Sequence, residues 1–261
     1  MTARTIAVIN QKGGVGKTTT TINLAAYLAK NNQRVLVVDI DPQGNATSGL
    51  GFNVRDIDKS VYDVLVDGLV GFDEVIIPHA KIGQLHLAPV NLHLAGANIE
   101  LVNSTRREFR LLDSLQRVAD DYDFILIDNP PSLGLLTVNG MVGATELLIP
   151  VQAEYYALEG LGQLLHTINL IQQNLQPKLN ILGAVVTMYD PRTRLSEAVL
   201  KELQGYFPRR IFNTIIPRSV RLAEAPSYGQ TILEYDPNSR GAQAYEQLAK
   251  EIISLPLPAI I

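Results

Sequence analysis

The chain has 261 residues, of which 46% are hydrophobic and 18% charged, and its formal net charge is −4 at pH 7. This composition is typical of a globular protein, and no Ser/Gly/Pro-rich linker divides residues 1–261, so we expect a single domain. The sequence contains no cysteine, which excludes disulfides, thiolate nucleophiles and cysteine-ligated zinc or iron–sulfur sites.

A glycine-rich segment follows the first predicted strand, residues 6–9. Residues 11–21 read QKGGVGKTTTT, and a helix is predicted at residues 18–30. A strand, a glycine-rich loop and a helix in this order place backbone N–H groups around an anion, which favours phosphate. In such a loop Lys17 reaches the β- and γ-phosphates of a nucleotide, and the Thr18 hydroxyl ligates Mg²⁺. The match to G-x-x-x-x-G-K-[ST] is incomplete, because Gln11 replaces the first glycine and a second lysine, Lys12, follows it.

Strands and helices alternate along the rest of the chain. Continuous apolar runs predict buried parallel strands at residues 35–38 and 124–127. Further strands are predicted at residues 85–88, 147–151, 181–188 and 211–216, and further helices at residues 61–66, 92–102, 107–120, 156–174 and 242–253. This alternation predicts an α/β fold with a doubly wound, mostly parallel sheet of about seven strands flanked by helices. We assign no function to residues 52–80.

Two of these buried strands end in aspartate, Asp39 and Asp128. Ligands of open α/β sheets bind at the carboxyl ends of the strands, so both side chains are expected beside the glycine-rich loop. Asp128 is the expected strand-terminal carboxylate that holds Mg²⁺ directly or through water, and Asp39 is expected to bind metal-coordinated water. The alternatives are structural, with an Asx turn before Pro42 and an ordinary turn before Pro130.

Four segments together resemble the ParA/Soj-type partition ATPases of the ParA/MinD family, and the resemblance covers nearly the whole chain. They are KGGVGKT, VDIDPQGNATSGLG, PVQAEYYALEG and IIPRSVRLAEAPSYG. The resemblance implies that Lys12 reaches across a dimer to the partner's nucleotide and that Asp41 orients or deprotonates the attacking water. It also implies a set of nucleotide-binding residues: Lys12, Gly13, Gly14, Val15, Gly16, Lys17, Thr18 and Thr19 around the phosphates, and Met188, Pro217 and Arg218 near adenine.

The same resemblance implies a switch. ATP and Mg²⁺ would be the cofactors, slow hydrolysis would be coupled to an ATP-sandwich homodimer, and a ParB/Spo0J-like protein would accelerate hydrolysis. ATP is expected rather than GTP because no N-K-x-D guanine motif occurs. With neither a signal peptide nor an apolar run of bilayer length, we expect a cytoplasmic protein without membrane contact. The resemblance implies that it associates with the nucleoid.

The charge distribution is uneven. Residues 190–221 contain seven Lys/Arg and three Asp/Glu, a net charge of +4, so the remainder carries −8. From charge alone, a solvated face is the usual explanation. The resemblance instead favours nonspecific binding of double-stranded DNA through Arg192, Lys201 and Arg221. Arg209 and Arg210 could equally cap the preceding helix end.

Related families provide alternatives. Nitrogenase iron proteins need cluster cysteines, and MinD-type proteins end in a basic amphipathic membrane helix, whereas two prolines interrupt the end of this chain. A metabolic phosphoryl-transfer enzyme, such as a dethiobiotin-synthetase-like ligase, would need a pocket for a small substrate. A positioning ATPase for a cargo other than DNA, such as a carboxysome, would share every motif described above.

Overall fold

One eight-stranded sheet organises the protein. The computed structural model describes residues 3–66, 70–154, 160–208 and 210–256, apart from the side chains of residues 194 and 195. The strands are β1 (Arg4–Val8), β2 (Val35–Asp39), β3 (Ile77–Pro78), β4 (Leu85–Ala88), β5 (Phe124–Asp128), β6 (Glu146–Gln152), β7 (Asn180–Tyr189) and β8 (Ile211–Pro217). Their order is β3-β4-β2-β5-β1-β6-β7-β8. All neighbours are parallel except β3 and β4, which are antiparallel.

Helices cover both faces of this sheet. The α-helices are α1 (Lys17–Lys30), α2 (Asn45–Gly49), α3 (Val61–Leu65), α4 (Ala97–Glu100), α5 (Arg110–Leu115), α6 (Leu135–Gly143), α7 (Leu161–Asn174), α8 (Arg194–Tyr206), α9 (Val220–Glu224), α10 (Ile232–Tyr235) and α11 (Arg240–Ser254). Short 3₁₀ segments lie at Val54–Asp56, Phe72–Val75, Leu92–Gly96, Leu101–Asn103, Ala119–Asp121 and Ala225–Tyr228. Among the described residues, no helix is both long and apolar enough to cross a bilayer.

The strand side chains divide between two hydrophobic clusters. Along β2, Val35 and Val37 pack with α1 and α11, whereas Leu36 and Val38 pack with helices on the opposite face, including α6 and α7. Every residue of β1, β2 and β5 is buried. Strand side chains alternate between the two faces of a sheet, and both faces are covered here, so these strands require continuous apolar sequence. The carboxyl ends of the central strands therefore meet at one well-supported edge.

The predicted α/β fold with a mostly parallel sheet is confirmed, and each of the seven predicted strands is present. The eighth strand, β3, was not predicted because it is only two residues long and pairs antiparallel at the sheet edge. The predicted start of a helix at Tyr156 lies outside the described residues, and α7 is described from Leu161.

Several helical predictions were wrong in detail. The helix expected at residues 92–102 is a single α-helical turn, α4, between two 3₁₀ segments. The helix expected at residues 107–120 is reduced to α5, because Arg106 adopts a positive φ of 52° and Phe109 has non-helical backbone angles. Helices α2, α6, α9 and α10 were not predicted, and of α8 only its end before Arg209 was expected. Helix α6 is almost entirely buried, so its sequence lacks an amphipathic period.

Candidate functional site

The glycine-rich loop between β1 and α1 encloses an open concavity. Gly14 and Gly16 have φ values of 74° and 87°, which L side chains rarely adopt. A Cβ placed on Gly13 or Gly14 would meet no atom within 4 Å, so the space beside the loop is free. The loop is anchored from β7, where the Thr187 hydroxyl donates to the Val15 carbonyl at 2.8 Å. This rigid, glycine-lined cradle leads directly into the N-terminus of α1.

Lys17 lies at the base of this concavity. Its side chain is buried, and its Nζ donates to the carbonyl oxygen of Lys12 at 3.2 Å. Burial lowers the pKa of Lys17, while the carboxylates of Asp128 and Asp41 act in the opposite direction. A phosphate group in the concavity could replace the carbonyl as the acceptor and would favour the charged ammonium.

Asp128 lies at the carboxyl end of β5, beside the first turn of α1. The Thr18 hydroxyl donates to its Oδ2 at 2.7 Å, and the Thr21 hydroxyl donates to its Oδ1 at 2.9 Å. Burial, together with the charge of Asp39, raises the pKa of Asp128 to about 8 against the lowering effect of these two bonds. The two residues predicted to bind metal from separate parts of the chain, Thr18 and Asp128, are thus in direct contact.

Asp39 is brought to the same place by strand pairing. It ends β2, and the parallel register of β2 with β5 makes it the partner of Asp128. Both the backbone N–H and the hydroxyl of Thr47 donate to its Oδ2 at 2.8 Å. Burial raises the pKa of Asp39 to about 6 despite these bonds. Two adjacent, fully buried carboxylates form an environment that a cation would stabilise.

Magnesium fits this arrangement. Within the part of the chain that the structure describes, no group of three His, Asp or Glu side chains could hold a metal ion. Mg²⁺ does not require such a group, because it keeps several waters and is commonly held by one or two carboxylates together with substrate phosphates. Thr18, Asp39 and Asp128 are the residues that could hold it, and a bound cation would favour the charged form of the two carboxylates, whose pKa values burial raises.

Asp41 lines the phosphate side of the site. A cavity of about 350 Å³ is bordered by Gly13, Gly14, Gly16, Lys17, Thr18, Thr19, Asp41, Gln43, Asn45, Pro131 and Met188. Asp41 Oδ1 accepts from Gln43 N at 3.0 Å, and Asp39 Oδ1 accepts from Asp41 N at 3.1 Å. These local bonds are the Asx-type turns that we considered as the alternative explanation. They hold Asp41 beside the cavity, so the turn does not exclude a role in chemistry.

A second, adjacent cavity of about 190 Å³ shares Gly16, Thr19 and Met188 with the first. Pro217, Arg218, Ile216 and Leu222 also line it, so Met188, Pro217 and Arg218, which were expected near adenine, lie together here. Met188 has a φ of 52°, which is unusual for a bulky side chain and marks backbone strain at this site.

Tyr245 is a residue of this second cavity that sequence reasoning missed. It is buried on α11, more than 200 residues after the glycine-rich loop, and its hydroxyl is 3.1 Å from the Thr20 hydroxyl. Its position on the apolar face of α11 resembles an ordinary core residue, so no local signal identifies it. Helix α11 therefore forms part of the second cavity through a long-range contact.

Lys12 is half-buried at the start of the glycine-rich loop, and it is not among the residues that border the first cavity. Its backbone N–H donates to Asn10 Oδ1 at 3.0 Å, which fixes the chain at this point, and Asn10 in turn donates to the Pro150 carbonyl at 2.8 Å. The side chain of Lys12 forms no ion pair with any described residue. Its charge is therefore not satisfied by the described part of its own chain.

The three residues predicted to bind DNA are exposed, and none of them borders either cavity. Arg192 lies two residues before α8, Lys201 lies within α8, and Arg221 lies on α9. Arg210 does not simply cap α8, because its Nη1 donates to the Ile181 carbonyl of β7 at 3.3 Å. Arg209, the other candidate for capping, lies outside the described residues.

Comparison with known proteins agrees with this geometry. Residues 3–181 match a family model described as an AAA domain. The chain is 53% identical to the sporulation initiation inhibitor protein Soj of Bacillus subtilis, with 95% of this chain and 97% of that protein covered. The chain belongs to the ParA/Soj family of chromosome-partitioning ATPases. As a member of this ParA/Soj family it is an ATPase, with ATP and Mg²⁺ as its cofactors.

Two further relatives show the breadth of the similarity. The chromosome partitioning protein ParA of Myxococcus xanthus is 48% identical, with 98% of this chain and 89% of that protein covered. The solved structure of cobyrinic acid a,c-diamide synthase from Mycobacterium smegmatis, with bound ADP and magnesium, superimposes with a TM-score of 0.85. It is 37% identical, and the match covers 96% of this chain and 94% of that one. The ParA/Soj fold is thus shared with a nucleotide-bound structure.

Proposed function

We propose that this ParA/Soj ATPase is a nucleotide-dependent DNA-partitioning switch. The observation that carries the proposal is the pair of lysines on one loop: Lys17 is buried and borders the phosphate-side cavity, whereas Lys12 does not border that cavity and forms no ion pair with any described residue. One lysine is sufficient to bind the phosphates of its own nucleotide. The second is available to a nucleotide held by another subunit.

The hydrolytic step is assigned to the chain's own residues as follows. Lys17 and the loop amides bind the β- and γ-phosphates, and Thr18, Asp39 and Asp128 hold the metal directly or through water. The metal, when bound, supplies positive charge that offsets the charge on the transferring phosphoryl group. Asp41 borders the phosphate-side cavity and orients or deprotonates the attacking water. We expect hydrolysis by the protein alone to be slow.

Dimerisation follows from the role of Lys12. A cation supplied by a second subunit stabilises phosphate charge in the manner of an arginine finger, which links dimerisation and nucleotide state in one equilibrium. The protein should be a homodimer with ATP and a monomer with ADP. We assign the whole chain, residues 1–261, to a single ATPase domain that performs this cycle.

DNA and a partner protein complete the proposed switch. Arg192, Lys201 and Arg221 contact phosphates of double-stranded DNA without sequence preference, which would place the dimer on the nucleoid in the cytoplasm. Two weakly binding patches joined in one dimer make the second contact effectively intramolecular, so ATP controls DNA occupancy. A ParB/Spo0J-like protein stimulates hydrolysis and resets the switch.

The deciding experiment compares Lys12→Ala with Lys178→Ala, an exposed lysine that also lacks an ion pair among the described residues. Asp41→Ala should block turnover, so light scattering of this variant with ATP should show a dimer. Lys12→Ala alone should bind ATP but lose hydrolysis, and Lys178→Ala should behave as the wild type. An Asp41→Ala protein that binds ATP and remains a monomer would contradict the switch.

The similarity to cobyrinic acid a,c-diamide synthase supports a metabolic enzyme as the second candidate. Such an enzyme would hydrolyse ATP in response to a small acid substrate and would be indifferent to DNA. Measuring ATP turnover with duplex DNA plus a ParB-like protein, and separately with small carboxylic acids, distinguishes the two. A positioning ATPase for another cargo would form the ATP-dependent dimer and respond to a different partner.

A further inference from the structure

Arg192 is held by a carboxylate two residues before it. Its Nη2 and Nε donate to Asp190 Oδ2 and Oδ1 at 2.7 and 2.9 Å, so the pair is bidentate. The Arg192 backbone N–H also donates to Asp190 Oδ1 at 3.0 Å, and this bond closes the turn that leads into α8. These bonds hold the pKa of Asp190 at about 2, well below its usual range. Asp190 is therefore charged and occupies the two donors that a DNA phosphate would use.

Arg221 is held in a similar way on α9. Its Nη1 donates to Glu224 Oε2 at 3.1 Å, and its Nε lies 3.6 Å from Asp236 Oδ2. The guanidinium also lies 6.0 Å from the ring centroid of Tyr235, whose hydroxyl donates to the same oxygen of Glu224 at 3.1 Å. Both arginines proposed to bind DNA thus already contact carboxylates of their own chain.

The third proposed DNA contact differs. Lys201 forms no ion pair within the described ranges, and neither does its exposed neighbour Glu202. Arg218 of the same region is also paired, with Glu154 Oε1 at 3.1 Å, so pairing is common among these basic residues but does not extend to Lys201. Glu202 provides an internal reference, since removing its charge alters the field of the region but releases no arginine.

We propose that Asp190 and Glu224 are intramolecular competitors of DNA phosphate, which occupy Arg192 and Arg221 and thereby weaken DNA binding by each subunit. The proposal rests on the DNA-binding role proposed above. Each arginine has to exchange a carboxylate for a phosphate when DNA binds. A carboxylate that is displaced from its arginine is then left close to the DNA backbone and repels it. A single subunit would bind poorly, and only the summed contacts of a dimer would overcome the competition.

The size of the effect follows from the exposure of these pairs. The side chain of Arg192 is 85% exposed and that of Arg221 is 56% exposed. Exposed ion pairs correspond to a factor of about two to five in an equilibrium constant, so each released arginine should tighten binding by roughly that factor per subunit. The gain should be largest at low ionic strength, because salt screens exposed charges.

An alternative role, in which the two carboxylates orient the arginines, predicts the opposite change in DNA affinity. If Asp190 and Glu224 hold the arginines in the orientation that DNA requires, removing either carboxylate should weaken binding. Asp190→Asn suits this comparison because the asparagine oxygen can still accept from the Arg192 backbone N–H and preserve the turn before α8. Glu224→Gln similarly retains an oxygen acceptor for Tyr235.

The test measures binding of a fluorescent duplex of arbitrary sequence to full-length protein with ATP, at several salt concentrations. Asp190→Asn and Glu224→Gln should each bind more tightly than wild type, and by more than Glu202→Gln, which changes the net charge equally. In an Arg192→Ala background the Asp190→Asn gain should fall to that of Glu202→Gln, because the competitor then has no arginine to occupy. Urea unfolding and ATP-dependent dimerisation serve as controls for folding.

The outcomes separate this inference from the proposed function. Wild-type DNA binding together with unchanged or weaker binding by Asp190→Asn and Glu224→Gln would overturn the inference and leave the DNA role intact. A gain by Asp190→Asn that persists undiminished in the Arg192→Ala background would also overturn it, since the effect would not act through Arg192. If wild type and both variants fail to bind duplex DNA at low salt with ATP, the inference and the DNA-binding role fail together.

Discussion

Thr47 donates both its backbone N–H and its hydroxyl to Oδ2 of Asp39, each at 2.8 Å. The same hydroxyl accepts from the backbone N–H of Val90 at 3.2 Å, so one buried side chain links α2, the end of β2 and the segment after β4. These bonds fix the orientation of a carboxylate that has no exposed surface. Thr47 therefore positions Asp39 without bordering the phosphate-side cavity itself.

Thr47→Val should destabilise the protein and slow ATP hydrolysis more than it weakens ATP binding. The substitution keeps the shape but removes one hydrogen bond to Asp39 and leaves the Val90 N–H without its acceptor, a loss of about 1–3 kcal/mol. Urea unfolding and steady-state kinetics provide the measurements. Thr167→Val is the control, because that hydroxyl bonds only the Gln163 carbonyl within α7. Equal stability of the two variants would contradict the role of Thr47.

Gly140→Ala should disturb Asp39 and Asp128, the two carboxylates that could hold the metal, through packing. A Cβ at Gly140 would collide with Asn129 Oδ1 and lie 2.8 Å from Ile40 Cδ1. Asn129 adjoins Asp128, and Ile40 lies between Asp39 and Asp41, so the side chains that have to shift belong to the segments that carry these carboxylates. Overpacking of this kind costs about 1–3 kcal/mol. ATP turnover should fall in parallel.

Gly162→Ala provides the matched control for Gly140→Ala, since both glycines lie within helices. A Cβ at Gly162 meets no atom within 4 Å, so alanine should raise the stability of α7 by up to about 1 kcal/mol. Thermal unfolding of the two variants should therefore shift in opposite directions. Shifts of the same sign would show that helix propensity, and not the contact with Asn129, decides the result.

The sequence was sufficient to predict much of the site because its signals are local. The glycine-rich loop and the aspartates after two buried strands lie in short segments with characteristic residue types. The rule that ligands bind at the carboxyl ends of parallel strands placed Asp39 and Asp128 together before their pairing was known. Their register as direct partners on neighbouring strands agrees with that expectation.

The features that could not be predicted depend on contacts between distant parts of the chain. Tyr245 reaches the second cavity only because α11 packs against α1, and nothing near Tyr245 in sequence indicates this. Likewise, the periodic apolar residues of 92–102 indicate burial on one side but do not distinguish an α-helix from the 3₁₀ turns that tertiary packing selects there. The pairing of Arg221 with Asp236 also depends on how α9 and α10 pack.

The stability of the nucleotide-free protein should fall as pH rises from about 6.5 to 8, above the range in which His79 and His86, whose pKa values burial lowers, act in the opposite direction. In the folded state the pKa of Asp128 is about 8 and that of Asp39 about 6, against an ordinary value of 3.8. Between those values the folded state binds more protons than the unfolded state, so the free energy of unfolding decreases with pH, by up to about 1.4 kcal/mol per pH unit for each proton.

Asp128→Asn tests the origin of this pH dependence. Asparagine has a similar shape and cannot ionise, so the variant should lose most of the decrease between about pH 6.5 and 8 and exceed wild type in stability at pH 8. Urea unfolding in EDTA without nucleotide measures both proteins. Adding ATP and Mg²⁺ should stabilise the wild type strongly at pH 8, because a bound cation favours the charged carboxylates. A wild-type stability that is independent of pH over this range would refute the explanation.

A buried ion pair connects the sheet to the C-terminal helix. Arg4 Nε and Nη2 donate to the two carboxylate oxygens of Glu146 at 2.8 and 2.9 Å, which joins β1 to β6. Arg4 Nη1 donates to the Ile252 carbonyl near the end of α11 at 2.9 Å, and the guanidinium packs against the Phe124 ring. Both charged side chains are 5% exposed. The pair therefore holds α11 in place, and α11 contributes Tyr245 to the second cavity.

Glu146→Gln should destabilise the protein by about 3–5 kcal/mol, because it leaves the buried Arg4 guanidinium without a counter-charge. The control is Asp113→Asn, which breaks the exposed pair with Arg106 and should cost far less, because solvent screens that pair. The double variant Arg4→Met/Glu146→Leu should be more stable than Glu146→Gln alone, since it removes both charges together. Chemical denaturation measures all three.

If Glu146→Gln loosens α11, its affinity for ATP should also fall, whereas Asp113→Asn should bind ATP normally. If Glu146→Gln and Asp113→Asn lost the same amount of stability, the buried pair would not secure α11.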